Sequence, residues 1–285
     1  MGIIAVSALT GRILLLGYER IAFKKAGKEK NSMISTFLLF FIATIILLPI
    51  LFFYSWDSNV LLYAFPSAAI YTAAFLIYIY VLSNYEVSLV VPFYNFNVFF
   101  LLILSIIFLE ETFNSLKLLG ILMLFLGTIF LSKESRFFDS LKAVYKNRGC
   151  QLMMLVSILM AIGRVLDTNL VKSFNSGEYA FSLYLLISFD IFIILLLTKK
   201  VKNIIPTFKS RPKEFLIGSA TNAFTYLFLL IALIEMELTF AEPLSMLSVI
   251  ISIIFSYIFF KEKIRDRLIG GIIMSIGAIL LIIQL

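Results

Sequence analysis

Apolar residues run along the chain in ten blocks, at about 2–23, 33–55, 59–83, 86–109, 115–132, 150–173, 179–199, 213–235, 238–260 and 267–285. Short polar breaks separate them, and only Ser83-Asn84-Tyr85-Glu86 divides the third block from the fourth. A bilayer core about 30 Å thick needs roughly 20 apolar residues per helical crossing, which is the length of these blocks. The pattern predicts an all-α integral membrane protein of ten transmembrane helices, with a multi-pass place in a cell membrane and lipid as its solvent. A prokaryotic plasma membrane is the expected location.

Composition agrees with the pattern. The 285 residues are 61% hydrophobic and only 14% charged, with a mean hydropathy of +1.04. A soluble domain lies nearer half apolar and a quarter charged. Met1-Gly2-Ile3-Ile4 enters an apolar block without a charged leader region, so it reads as the first helix and not as a signal peptide. The single cysteine, Cys150, excludes an intrachain disulfide, and the lack of histidine removes imidazole metal ligands and histidine proton relays.

The charge map sharpens the topology. The connections after blocks one, five, seven and nine hold nineteen of the 24 basic residues: Lys24, Lys25, Lys28 and Lys30; Lys133, Arg136, Lys142, Lys146 and Arg148; Lys199, Lys200, Lys202, Lys209, Arg211 and Lys213; and Lys261, Lys263, Arg265 and Arg267. The alternate connections hold Lys117 and Lys172. Basic residues concentrate on the cytoplasmic side of membrane proteins, so this bias places both termini outside. It also explains the net charge of +7 without nucleic acid as a partner. The other face is acidic, with Asp57, Glu86, Glu110, Glu111, Glu178, Glu235, Glu237 and Glu242 read as interfacial charges. The basic segment 133–149 spaces Phe137, Leu141 and Val144-Tyr145 as an amphipathic helix would, and an ordinary linker fits it equally.

The two halves are alike. At a shift of 151, Glu86 meets Glu237, Pro92 meets Pro243, Ser105 meets Ser256, Glu111 meets Glu262, Gly120 meets Gly271 and Met123 meets Met274. At 152, Gly11-Arg12 meets Gly163-Arg164. The implied organisation is a first five-helix repeat at 1–132, a basic connection at 133–149 and a second repeat at 150–285. Five is odd, so the second copy must be inverted, an arrangement common among secondary transporters.

Pro92, an apolar run to Glu110-Glu111 and then Gly120 and Gly127 resemble the repeat of the drug/metabolite transporter superfamily, EamA-like branch. Pro243, Glu262, Gly270-Gly271 and Gly277 resemble it again. The resemblance implies a ten-helix bundle in which helices 1–4 and 6–9 surround a cavity and helices 5 and 10 are peripheral. Two features depart from it. Gly11-Arg12 stands where members commonly have Trp-Gly, and the resemblance implies cytoplasmic termini where the charge map puts them outside.

Charges inside apolar blocks are expensive, about 2.5–3.5 kcal/mol each at a helix centre on the insertion scale, and so point to a partner or a role. Arg12, Arg164, Asp167 and Asp190 stand there. Arg164 and Asp167, three apart, can pair on one helix face, and Asp190 can lock to Arg12 or Arg164 across the bundle. Alternatively, the two arginines at matching repeat positions capture a carboxylate or phosphate, while Asp167 or Asp190 takes an amine or a coupling proton. Tyr71, Tyr78, Asn97, Asn222 and Tyr226 are further candidates to line such a site, although packing accounts for aromatic stripes more often. Pro92 and Pro243 are candidate hinges or fixed bends. Gly120, Gly127 and the Gly271-xxx-Ser275 pair read as close-packing positions, within the chain or in a homodimer.

No phosphate-binding loop, metal cluster or catalytic triad occurs, so neither a cofactor nor an enzyme activity is expected. The sequence predicts a secondary transporter of small polar metabolites, amino acids foremost, working by alternating access and coupled to a proton gradient or to nothing. Organic anions, sugar phosphates and lipid precursors are the alternative cargoes.

Overall fold

The computed structural model describes residues 2–26, 32–53, 57–85, 90, 93–131, 147–251, 254–255 and 268–284. All regular structure in them is helical, because a chain in hydrocarbon must satisfy its own backbone groups. The principal helices are α1 (Ile3–Ala26), α2 (Ser32–Leu47, ending in the 3-10 segment Leu48–Phe53), α3 (Asn59–Asn84), α4 (Asn97–Phe108) and α5 (Ser115–Leu131). They continue as α6 (Arg148–Val171), α7 (Ser176–Leu197), α8 (Pro212–Leu233), α9 (Leu238–Ser245) and α10 (Leu268–Ile282), with a short helix, Ile204–Ser210, between α7 and α8.

Five of these, Ser32–Phe53, α3, α6, α7 and α8, are long and apolar enough to cross a membrane. Helix α1 is as long, but Arg12, Glu19 and Arg20 dilute it. Segments Asn97–Phe108, Ser115–Thr128, Leu238–Ile251 and Ile269–Ile282 are apolar but shorter within the described residues. Local signals set several starts. The Asn147 side chain accepts from Gly149 N at 2.8 Å to begin α6, Asn175 accepts from Gly177 N at 2.9 Å to begin α7, and Pro212 opens α8, where a missing N–H costs nothing. The exterior is apolar: Ile3, Phe52, Leu62, Leu197 and Ile283 stand out from the bundle, as side chains facing lipid do.

The helix pairings are unchanged when the first five helices are exchanged with the last five. Helix α1 packs on α8 as α6 packs on α3, and α2 packs on α8 as α7 packs on α3. The pairs α2 with α7, α4 with α9, and α5 with α10 map onto themselves. Backbone detail repeats too. Before α4 the chain turns tightly, with Phe96 N donating to Phe93 O and Phe99 N to Phe96 O. Residues 151 further on do the same after Pro243, as Leu247 N donates to Leu244 O and Ile250 N to Leu247 O. Pro243 is buried in α9 immediately before this break. Pro92 and the amphipathic segment at 133–146 lie outside the described residues.

Glycine explains the α5–α10 contact, and corrects one reading. A Cβ on Gly120 would come within 3.1 Å of Gly277 O, and one on Gly277 within 2.8 Å of Gly120 O. One on Gly127 would reach 2.8 Å from Gly270 O. The symmetric glycines of this contact are therefore Gly120 with Gly270 and Gly127 with Gly277, one residue off the shift of 151. Gly271 has nothing within 4 Å and Ser275 is exposed, so that pair lies on the outer surface of α10, away from α5.

Gly127→Val is expected to lower the thermal unfolding temperature in detergent, because overpacking of a tight contact costs about 1–3 kcal/mol. Gly271→Val should leave it unchanged. Equal melting of the two variants would refute the assignment.

Candidate functional site

A central cavity receives side chains from α1–α4 and α6–α9 and none from α5 or α10. It holds about 870 Å³ of unfilled space, its open mouth included. From α1 come Arg12, Leu16, Glu19 and Phe23, a single helical stripe that runs from mid-helix to the end joined by a basic connection. Tyr71, Phe75 and Tyr78 of α3 run the same way, so the cavity lies on the basic side of its deepest charges.

Those charges are Arg12, Arg164 and Glu242. Arg12 Nη2 donates to both oxygens of Glu242, at 3.0 and 3.1 Å, and Arg164 Nε donates to Glu242 Oε1 at 2.7 Å. Arg12 is further fixed by Ser245 Oγ at 2.8 Å and Thr225 O at 3.0 Å. The guanidinium of Arg164 sits 5.3 Å from the Tyr71 ring centre and 5.1 Å from that of Tyr226, and its Nη1 donates to Tyr71 Oη at 3.1 Å. All three charges are buried, Arg12 at 3%, Glu242 at 7% and Arg164 at 8% exposure. Two guanidinium groups out of water require a counter-anion, and one carboxylate serves both.

The repeated Gly-Arg dipeptide has a steric cause. A Cβ at Gly11 would lie 2.8 Å from the Phe228 ring, and one at Gly163 would lie 2.7 Å from the Tyr71 ring. In each half the glycine admits an aromatic ring of the facing helix beside the arginine.

Asp167 lies behind this triad and does not line the cavity. Ser67 Oγ and Tyr179 Oη donate to its Oδ1 at 2.6 and 2.7 Å, and Tyr226 Oη donates to Oδ2 at 2.8 Å, as does Tyr71 Oη. Arg164 Nη1 is 3.7 Å away, so the expected pair exists but is the weaker part of a hydroxyl cage. Such a saturated carboxylate fixes helices and has little capacity left for an amine. Asp190 is not in the cavity either. It accepts one long bond, 3.3 Å, from Thr72 and meets neither Arg12 nor Arg164.

The other expected residues do meet at the cavity: Tyr71, Tyr78, Asn97, Asn222 and Tyr226 all line it. Asn222 Oδ1 accepts from Tyr184 Oη at 3.0 Å, while Asn222 Nδ2 and Thr225 Oγ1, both buried, have no hydrogen-bond partner among the described residues. Three further residues escaped sequence reasoning. Glu242 reads as an interfacial charge because it starts an apolar block, yet it is the acid carried furthest into that block, beside Pro243. Glu19 shares the face of Arg12 but reads as lying at the surface. Tyr184 carries no signal in sequence.

Towards the end that carries Glu111 and Glu237, bonds join the first five helices to the last five. Lys117, fully buried, donates to Glu237 Oε2 at 2.6 Å, to Thr112 O at 2.7 Å and to Thr239 Oγ1 at 3.0 Å. Glu111 accepts from Leu238 N at 2.7 Å and Thr239 N at 3.0 Å. Gly2 N donates to Glu235, and Asp57 N to Glu178.

A family model, the EamA-like transporter family, matches residues 3–133 and 147–284. The chain belongs to the EamA-like transporter family. It is a multi-pass membrane transporter of the drug/metabolite type, as the Pro–Glu–Gly pattern in each half implies. An uncharacterized protein of Methanocaldococcus jannaschii is 32% identical over 114 residues, 39% of this chain and 83% of that protein. That relative is therefore about as long as one of the two matched segments. A crystal structure of a protein only 13% identical superposes with a TM-score of 0.72 over 98% of both chains, which shows the fold alone.

Asp167→Ala should destabilise the protein by about 3–5 kcal/mol, the usual cost of leaving one side of a buried charged network unpaired. Asp190→Ala should cost about 1 kcal/mol or less, since a single long hydrogen bond is lost. Thermal unfolding in detergent decides, and equal losses would overturn the distinction.

Proposed function

We propose that the protein is a secondary transporter of small polar metabolites bearing a carboxylate, amino acids foremost, which alternates access to one site between two inverted five-helix repeats. The observation that carries this reading is the convergence of Arg12 and Arg164, equivalent residues of the two halves, at the base of a shared cavity. Two planar guanidinium groups suit bidentate capture of a carboxylate, and Asn222 Nδ2 and Thr225 Oγ1 offer additional donors there. Arg12 and Arg164 balance Glu242 and Asp167, so a zwitterion enters without adding net charge.

The exchange symmetry of the helix pairs and the matching breaks at 95–96 and 246–247 support the inverted repeat. Interrupted helices beside a midplane site are common in transporters, because the break supplies both a flexible joint and unpaired polar groups. The half-length relative also supports it, since a single repeat is a unit that exists separately. With basic connections cytoplasmic, the cavity faces the cytoplasm, and the Lys117–Glu237 and Glu111 contacts close the outside. Transport requires these contacts to break.

Counterflow of a radiolabelled amino-acid mixture into proteoliposomes tests the reading. Uptake should fall at least about tenfold in Arg12→Ala and Arg164→Ala, since each removes a charge-assisted contact of about 1.5–3 kcal/mol. Exchange of labelled glycerol phosphate without amino-acid exchange would replace the cargo class, and flipping of fluorescent lipid without solute exchange would replace the reading altogether. A topology reporter fused to the C-terminus should report the outside; a cytoplasmic signal would reverse the orientation.

A further inference from the structure

The arginine pair already holds an anion. Glu242 accepts three hydrogen bonds from Arg12 and Arg164, the geometry in which a bound carboxylate would be held. The two arginines recur in both halves, but the carboxylate does not: the residue 151 positions before Glu242 is Val91. Glu242 is thus a single, asymmetric guest in a symmetric cleft. It also sits next to Pro243 and one turn before the break at 246–247, where α9 lacks a continuous hydrogen-bond ladder.

We propose that Glu242 is a built-in surrogate for the substrate's anionic group, and that an entering carboxylate displaces it from the Arg12–Arg164 cleft as Glu242 takes up one proton from cavity water. This rests on the transporter reading above. Asp167 already offsets one of the two guanidinium charges, so a second ionised carboxylate beside Glu242 would leave the buried cluster with excess negative charge, which disfavours ionisation. Protonation makes Glu242 neutral and a hydroxyl donor, while the substrate's charge replaces its own between the guanidinium groups. The proton passes to Glu242 Oε and offsets the entering carboxylate, so the charge between the two guanidinium groups does not change. Of the elements packed on α9, α1 faces Glu242 with Arg12 and, further along, Glu19. Helix α6 brings Arg164 and Asp167, α8 brings Tyr226, and α5 brings Lys117, which is held at Glu237. Tyr71 of α3 lies against Arg164, and the described residues of α4 and α10 bring no charge.

The sign of the effect separates this role from a structural one. Purified protein in detergent is titrated with single amino acids, acetate and inorganic phosphate, with binding read by thermal stabilisation and proton uptake by a pH dye in weak buffer. The wild type should take up about one proton per bound carboxylate and bind more weakly as pH rises. Glu242→Gln, its internal competitor weakened, should bind about tenfold more tightly, as for a cleft free one tenth of the time, with no proton uptake and a flat pH profile. Binding of acetate or phosphate in this pattern, but of no amino acid, upholds the displaced anion and refutes the amino-acid cargo. Amino-acid binding without proton uptake in the wild type, or weakened by a well-folded Glu242→Gln, overturns the displacement while leaving the transporter reading intact. Absence of binding by every anion overturns both. The wild-type proton count decides even where the variant does not fold.

Discussion

Two buried guanidinium groups in a membrane bundle need an anion, and the Arg12–Glu242–Arg164 triad meets that need with one carboxylate drawn from a third helix. Much of the interior follows from it. Helices α1, α6 and α9 are tied at one depth, and Tyr71 and Tyr226 lay their rings against Arg164. The same two tyrosines turn their hydroxyls to Asp167, which joins α3, α6, α7 and α8. Above this polar floor aromatic and aliphatic walls carry Glu19, Asn97 and Asn222 among them, and the cavity extends to the basic side.

The polar floor and the acidic-end contacts divide the molecule's work. Lys117, Glu237 and Glu111 bind residues of the first five helices to those of the last five. Asp167 sits within a cage of four hydroxyls and holds α3, α6, α7 and α8 together. The breaks at 95–96 and 246–247 adjoin the cavity and interrupt the helical ladder there.

Several sequence expectations survive because they rest on single-residue physics. Gly120 and Gly127 are close-packing positions, since only a missing side chain permits backbone contact between α5 and α10. Arg12 and Arg164, matched between the halves in sequence, line one cavity and both contact Glu242. Gly271 does not close-pack within the chain, since that depends on one residue of register, about 100° around a helix. Asp190 fails because a charge within an apolar block can turn towards a hydroxyl at the edge as well as towards the centre.

What the sequence by itself determined is the solvent, the helical class, the basic and acidic faces and the internal repeat. These are properties of block length, composition and periodicity, legible without knowing which helix meets which. What only the tertiary structure decided is which acid answers the arginines. Glu242 lies 230 residues from Arg12 and 78 from Arg164, and no local spacing relates them. Their meeting depends on how α1, α6 and α9 cross, and that crossing is set by packing across the whole bundle.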